Sequence, residues 1–297
     1  MHTIIAGGSG FLGKAFVSRL KADGHAVGIL TRRPRAGVED DIAWTPDGSA
    51  GEWARSLEGV DAIVNLAGEG IADQRWSHAR KQALKNSRLL STRSLATAIG
   101  RLSKPPAVFI SGSGVGYYGA RGEELITEAE PPGSDFLATL CVEWEREADQ
   151  ASPITRVVLL RTAPVLDPDG GALGKMLTPF RLGLGGPLGS GSQFMPWIHI
   201  GDWVDVVTWL ITNRNARGAF NATSPAPVTN AEFTRTLGRV LHRPAIIPVP
   251  GFGLRLLVGE LADSLLTGQR AIPARAVEMG FVFRFPELEP ALRDLLR

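Results

Sequence analysis

Short, unbroken apolar runs alternate with amphipathic stretches through the first half of the chain. The runs at 2–6, 25–31, 42–44, 62–68, 107–111 and 155–161 are rich in Ile, Val, Leu and Ala, with glycine or polar residues at their ends. Apolar runs without polar alternation belong to strands covered on both faces, the environment of a parallel sheet. Between them, Phe16 and Leu20 share one face of a helix over 14–23 that Gly24 closes. A short helix is expected at 53–57 and a long one over 76–102, where Leu89, Leu90, Leu95, Ala96 and Ile99 make the stripe. In a helix over 135–150 the stripe is Phe136, Leu137, Leu140, Cys141, Trp144 and Ala148. Strand and helix in alternation predict an α/β fold built on a doubly wound parallel sheet.

After residue 165 the pattern changes. Eight glycines fall between 170 and 191, interleaved with Leu, Phe, Lys175 and Arg181, and are expected to form a mobile cover over the ligand crevice. An extended stretch follows at 193–199, then a helix over 203–213 capped by Asp202, a helix announced by the capping box Thr229 to Glu232, and a helix from 250 to about 266. Short helices around Gly280 to Phe283 complete the chain. The organisation expected is a first domain at 1–165, to which 197–225 returns, and a smaller mixed C-terminal region at 166–297 that supplies the substrate side.

The first apolar run leads straight into Gly7, Gly8, Ser9, Gly10, Phe11, Leu12 and Gly13. Glycines between a strand and a helix permit a tight turn, close approach of backbone to a pyrophosphate, and close packing of helix on strand, while the helix N-terminus holds the anion. The stretch is read as the binding turn for a dinucleotide. About twenty residues further on, where an NAD site carries an acid for the ribose 2′-hydroxyl, stand Thr31, Arg32 and Arg33. Guanidinium groups suit a 2′-phosphate, so NADP(H) is expected as cofactor, against the plainer reading of an exposed basic turn. Leu66, Ala67 and Gly68 end the fourth run beside the pyrophosphate. Arg88, in the long helix, either reaches a cofactor phosphate or is a solvated charge. Trp44 either faces the adenine or packs. Both tyrosines of the chain, Tyr117 and Tyr118, follow Ser111 and Ser113 at the end of the fifth run, where chemistry sits in such sheets.

Charge narrows the partners. Lys and Arg total 32 against 30 acids, a balance that gives no reason to expect nucleic acid or a membrane surface. The one cysteine, Cys141, allows no internal disulfide, and on the apolar stripe it reads as a core thiol. No run reaches membrane-spanning length. The protein is read as cytoplasmic, acting on a small molecule, with no metal and with a homodimer admitted.

Several segments together resemble the extended short-chain dehydrogenases/reductases: Gly7 to Gly13, Asn65 to Gly68, Ser111 to Gly119, Thr127-Glu128 before Pro131-Pro132, the strand ending at Arg161, and Trp197 to Asp202. More narrowly, Gly68 to Ile71 with Arg75-Trp76 and Ser87-Arg88, Gly170 to Leu173, Arg181 to Gly191 and Gly268-Gln269-Arg270 are similar to an atypical branch labelled epimerase family, related to NAD-dependent epimerase/dehydratases and carrying a C-terminal domain of unassigned function. The resemblance implies NADP(H) with its phosphates at Ser9 to Leu12, its 2′-phosphate near Thr31 and Arg32, further contacts at Leu66, Ala67 and Arg88, and nicotinamide near Pro164 and Val165. It also implies a Tyr-x-x-x-Lys pair on the helix after the fifth strand, and here the sequence departs. Both registers, Phe136 with Leu140 and Leu137 with Cys141, are apolar. Two functions stay open. One is an oxidoreductase or epimerase using Ser111, Ser113, Tyr117 or Tyr118 as substitute acid, with Lys81, Lys85 or Lys175 as cation neighbour. The other is an NADP(H) sensor without turnover.

Overall fold

Every second residue of a strand points to the same face, and in this chain both faces are apolar. In the computed structural model, which describes residues 1–297, the central strands are β1 (His2–Ala6), β2 (Ala26–Thr31), β3 (Asp41–Ala43), β4 (Ala62–Asn65), β5 (Val108–Gly114), β6 (Arg156–Thr162) and β7 (Gly218–Ala222). They form one parallel sheet in the order β7-β6-β5-β4-β1-β2-β3. Register explains the two cores. Ile5, Val64, Ile110 and Val158 are partners across the sheet and sit in one cluster; Ile4, Ile63, Phe109 and Val157, one residue earlier, are partners in the other. The doubly wound α/β expectation holds.

On the first face lie α1 (Phe11–Ala22), with Phe16 and Leu20 buried, and α5 (Ile200–Thr212), with Trp203 buried and edge-on to Phe16. The second face is covered by α2 (His78–Ile99), α3 (Phe136–Asp149) and a 3-10 turn, Glu52–Leu57. Trp44 is buried there against Trp53 at 5.4 Å, so it packs.

The second half has its own core: α4 (Gly171–Arg181), α6 (Asn230–Leu241) and α10 (Leu288–Leu295) close around Leu173, Leu177, Phe180, Trp197, Phe233 and Leu292. Two expectations are corrected here. The glycine-rich stretch holds a helix, α4, because Leu173, Leu177 and Phe180 fall at helical spacing between the glycines and have a core to fill. The helix over 250–266 is two, α7 (Gly251–Val258) and α8 (Leu261–Thr267), separated at Gly259. Ala274–Glu278 forms α9. No helix is long and apolar enough to cross a membrane.

Asp202 does not cap α5. His199 does, its Nδ1 accepting from the Gly201 N–H at 2.9 Å, while Asp202 accepts from the backbone N–H groups of Arg284 and Phe285 and so ties the C-terminal segment to α5. Burial holds His199 below its ordinary value of 6.5, against the pull of Asp202 and of Asp294. The unfolded chain then binds this proton more readily than the folded one, so stability is complete above about 6.5 and falls as pH drops toward the lowered value. Urea midpoints at pH 5.5 and 7.5 should therefore differ in this direction, and His199→Asn, which keeps an acceptor for Gly201, should narrow the difference. An unaltered gap in that variant assigns the dependence elsewhere.

Candidate dinucleotide and catalytic site

The glycine turn is shaped by contacts that leave no room for a side chain. Gly7 has φ +81° and lies so near the β4 loop that a Cβ would stand 2.7 Å from the Leu66 carbonyl. At Gly13 a Cβ would meet the Gly7 carbonyl oxygen at 2.2 Å. The turn therefore brings bare backbone to the start of α1, whose N-cap, Gly10, offers no side chain to the first-turn N–H groups and whose first turn carries no acid. An open helix N-terminus at the carboxyl ends of β1 and β4 accepts an anion. Ser9 is exposed on this turn, and Phe11, at the head of α1, lies under Gly170 and Gly171 of the α4 entrance.

At the end of β2 the Thr31 hydroxyl accepts from the Arg33 N–H, which turns the chain outward. Arg32 and Arg33 are exposed. Arg35, by contrast, grips Asp41 through two nitrogens at 2.8 and 2.7 Å. At the end of β4, Asn65 is buried, donating to the Thr92 hydroxyl at 2.8 Å and accepting from the Ala67 N–H at 3.1 Å; Trp144 Nε1 donates to the same hydroxyl. This fixes Leu66 and Ala67 beneath the glycine turn. Arg88 is buried and is no solvated charge: it donates to the Leu84 and Glu69 carbonyls, with its Cζ 5.3 Å from the Trp144 ring. Burial without a carboxylate partner lowers it to about 10.

Beyond β5 a chain of buried polar groups joins three strands. Ser113 donates to Glu145 of α3 at 2.7 Å; Arg161 of β6 holds both oxygens of Glu145 at 2.8 Å and donates to the Tyr118 hydroxyl at 3.0 Å; Tyr118 donates to Asn221 of β7 at 2.7 Å. Glu128 accepts from the N–H groups of Asn221 and Arg275, and burial raises its pKa. Burial works against the Arg161 charge, yet the Glu145 hydrogen bonds outweigh it and hold the guanidinium above its ordinary value. Tyr118 is wholly buried and pushed up to about 12, mainly by burial. Ser111 is buried opposite Asn65, its hydroxyl reaching only the Gly112 carbonyl at 3.4 Å. Tyr117 differs. It is half-buried, its ring centre 3.4 Å from Arg161 Cζ, and its hydroxyl stands outside the network.

Of the two apolar registers, Leu137 and Cys141 are the pair that faces the end of β5 and the turn after it. Leu137 Cβ is 3.1 Å from where a Cβ on Gly116 would sit, and the Cys141 thiol donates to the Gly114 carbonyl at 3.6 Å. Burial pushes this thiol up to about 11. Phe136 turns instead to Trp76, 5.2 Å away. The lysines considered as cation neighbours are committed elsewhere: Lys81 to Glu260, Lys85 to Glu143, Lys175 to Asp73 and the Ala72 carbonyl. Each is held by a carboxylate on a neighbouring segment, so none meets the serines or tyrosines. Pro164 and Val165 follow β6, with Val165 paired to Ile198.

The network members Glu145, Glu128 and Asn221 were not foreseen. Glu145 had a signal: it lies four residues after Cys141 on the apolar stripe of α3, and a carboxylate on a buried face needs a cation.

Comparison with known proteins gives the family of the chain. The NAD dependent epimerase/dehydratase family matches residues 3–222, and a domain of unknown function, DUF1731, matches 249–295. Epimerase family protein SDR39U1 of Mus musculus is 40% identical over 300 residues, covering 100% of both chains. The chloroplastic homolog from Arabidopsis thaliana is 39% identical, covering 100% of this chain and 87% of its own. The crystal structure of human epimerase family protein SDR39U1 with NADPH superposes with a TM-score of 0.93 at 39% identity, covering 99% of each chain. This chain belongs to the NAD-dependent epimerase/dehydratase family, with the extended short-chain dehydrogenase/reductase fold and an appended DUF1731 domain.

Proposed function

We propose that the chain binds NADP(H) in the glycine cradle and acts as an oxidoreductase on a small carbonyl or alcohol compound, with Tyr117 carrying the proton. One observation carries the cofactor reading. Arg32 and Arg33, just past β2, have no carboxylate within 4.0 Å, while Arg35 is taken by Asp41. Two uncommitted guanidinium groups at that place suit a 2′-phosphate in bidentate fashion. The human relative crystallised with NADPH supports the same choice.

The residues fit the group, because Gly7 and Gly13, packed against the Leu66 backbone and the Gly7 carbonyl oxygen, set a tight turn that leaves the α1 N-terminus at Gly10 without a side-chain cap. Gly10, Phe11 and Leu12 present the helix N-terminus to it, Ser9 adds a hydroxyl, and Leu66, Ala67 and Gly68 line the near side. Arg88 braces that side through the Glu69 carbonyl. Pro164 and Val165 back the nicotinamide. When bound, this cofactor gives a hydride to a carbonyl carbon or takes one from an alcohol. Tyr117 then passes its phenolic proton to the carbonyl oxygen, and Leu137 and Cys141 keep water from that end of the cleft.

Arg32→Asp is expected to weaken NADPH binding about a hundredfold, since it removes charge-assisted hydrogen bonds worth ~1.5–3 kcal/mol each and adds a like charge, and to favour NADH instead. Fluorescence titration reads both affinities, and unchanged selectivity would put the 2′-phosphate elsewhere. The oxidoreductase reading is tested by following NADPH absorbance against ketones, quinones and nucleotide sugars. A second reading, a sensor that binds NADP(H) without turnover, is favoured by the apolar Leu137 and Cys141; NADPH persisting against the whole panel would select it.

A further inference from the structure

Between β4 and α2 the chain runs as a strap, residues 69–76, whose base and tip are held very differently. The base is fixed to α2. Arg80 grips the Glu69 carboxylate and donates to the Gly70 carbonyl at 2.7 Å, Arg88 donates to the Glu69 carbonyl at 2.9 Å, and Trp76 Nε1 donates to the Ile71 carbonyl at 2.9 Å. The tip, from Ala72 to Arg75, is exposed. Two hydrogen bonds tie it to α4, and both come from Lys175: one to the Ala72 carbonyl at 2.9 Å and one to the Asp73 carboxylate at 3.1 Å. Asp73 folds back over Gly70, where a Cβ would collide with its carboxylate. On the other side α4 is seated closely. Gly171, its first residue, has φ +60°, and a Cβ there would stand 2.7 Å from the Val165 carbonyl oxygen and 3.0 Å from the Phe11 ring at the head of α1.

The strap leaves from Gly68, just after Leu66 and Ala67 have packed against Gly7, while the α4 entrance rests on Phe11. Strap and α4 therefore rise from opposite sides of one glycine turn. A bond between them has to cross the groove they enclose, and Lys175, one turn into α4, supplies it. We infer that Lys175 is a latch on the cofactor groove: it holds the strap tip to α4 over the glycine turn, and NADP(H) enters and leaves when its two bonds break. This rests on the reading that NADP(H) lies in the glycine cradle. The chemistry of the pair is that of a latch and not of a brace. Lys175 and Asp73 are 56% and 60% exposed, and an ion pair so open to water adds little to folding stability. Its members part without disturbing the fold, on the timescale of loop motion. An ammonium on a flexible stem lets go of both acceptors while α4 stays seated. The two glycine-bearing segments, 68–71 and 170–173, then share a purpose: each seats one jaw of the groove.

Stopped-flow fluorescence of NADPH on the full chain gives the rate of entry, and displacement of bound NADPH by excess NADP+ gives the rate of departure. Lys175→Met and Asp73→Ala should each raise both rates at least about threefold, the scale of an exposed ion pair with an added carbonyl bond, and leave Kd nearly unchanged. A faster departure with entry unaltered would make Lys175 a ligand of the cofactor and overturn the latch. Rates equal to those of the native chain would overturn it as well. A second arm fixes the passage shut. In the variant carrying Asp73→Cys and Lys175→Cys, a reducible linker with a thiol-reactive group at each end, added after NADPH, should hold the cofactor through gel filtration until dithiothreitol releases it; added before NADPH, it should keep the cofactor out. Cys141 is buried and does not compete. Free exchange across a completed link overturns the latch. A native chain that binds no NADPH removes the cofactor reading and the latch with it, whereas affinity that Arg32→Asp weakens, beside rates indifferent to Lys175→Met, removes the latch alone.

Discussion

Arg161→Met is expected to lower folding stability by about 3–5 kcal/mol, the cost of breaking a buried ion pair by removing one partner. Both side chains of the pair are almost closed to solvent, at 5% and 9%. Without the guanidinium the Glu145 carboxylate keeps only the Ser113 hydroxyl, Tyr118 loses a donor, and the ring of Tyr117 loses the cation beneath it. The double variant Arg161→Met with Glu145→Leu should recover most of the loss, because the uncompensated charge is then gone and an apolar pair of similar size remains. Set against a typical total of 5–15 kcal/mol, the single variant should shift the urea midpoint by a large fraction of its value and the double by much less. For contrast, Asp263→Ala, which breaks the exposed pair with Arg255 at 63% and 58% exposure, should stay within about 1 kcal/mol. Equal midpoints for the single and double variants would show that desolvation of Glu145 is not what Arg161 prevents.

The sheet was legible because its strands are buried on both faces. Runs such as 62–65 and 156–162 carry no polar alternation, and nothing but a layer of helices on each side hides both Ile4 and Ile5. The helices α1, α2 and α3 were legible for the complementary reason, a stripe at helical spacing. The second half was harder. In α4 the glycines at 171 and 174 and Pro179 mask Leu173, Leu177 and Phe180, whose burial depends on α6 and α10, far along the chain. A local pattern cannot weigh a core assembled from three distant segments. The cap of α5 failed for a related reason: Asp202 is a good cap by type, but Arg284 and Phe285 offer it two N–H groups, and His199 is left to take the helix end.

The candidate site divides the same way. The glycine turn is contiguous, so its spacing alone displayed it, and Arg32 and Arg33 follow at a fixed offset. The network from Ser113 through Glu145 and Arg161 to Tyr118 and Asn221 draws single residues from β5, α3, β6 and β7. No spacing joins them. That is why Ser113 and Tyr118, attractive as reactive hydroxyls in sequence, turn out to donate their protons to Glu145 and Asn221, while Tyr117 does not.

Tyr117→Phe is accordingly expected to reduce NADPH oxidation, with a carbonyl substrate identified from the panel, by about a hundred- to ten-thousand-fold, the contribution of a positioned proton donor. The phenyl ring keeps its seat on Arg161 and its edge contact with Tyr118 at 5.3 Å, so the fold and the NADPH affinity should be those of the native chain. Ser113→Ala acts differently. It takes a hydrogen bond from a buried carboxylate and should cost about 1–3 kcal/mol of stability. Stopped-flow rates at saturating NADPH, taken beside urea midpoints for both variants, distinguish a group that moves a proton from a group that holds a scaffold. A Tyr117→Phe chain that turns over at the native rate would return the proton to the other hydroxyls of the loop, and of these only Ser111, buried and weakly bonded to the Gly112 carbonyl, would still have one to give.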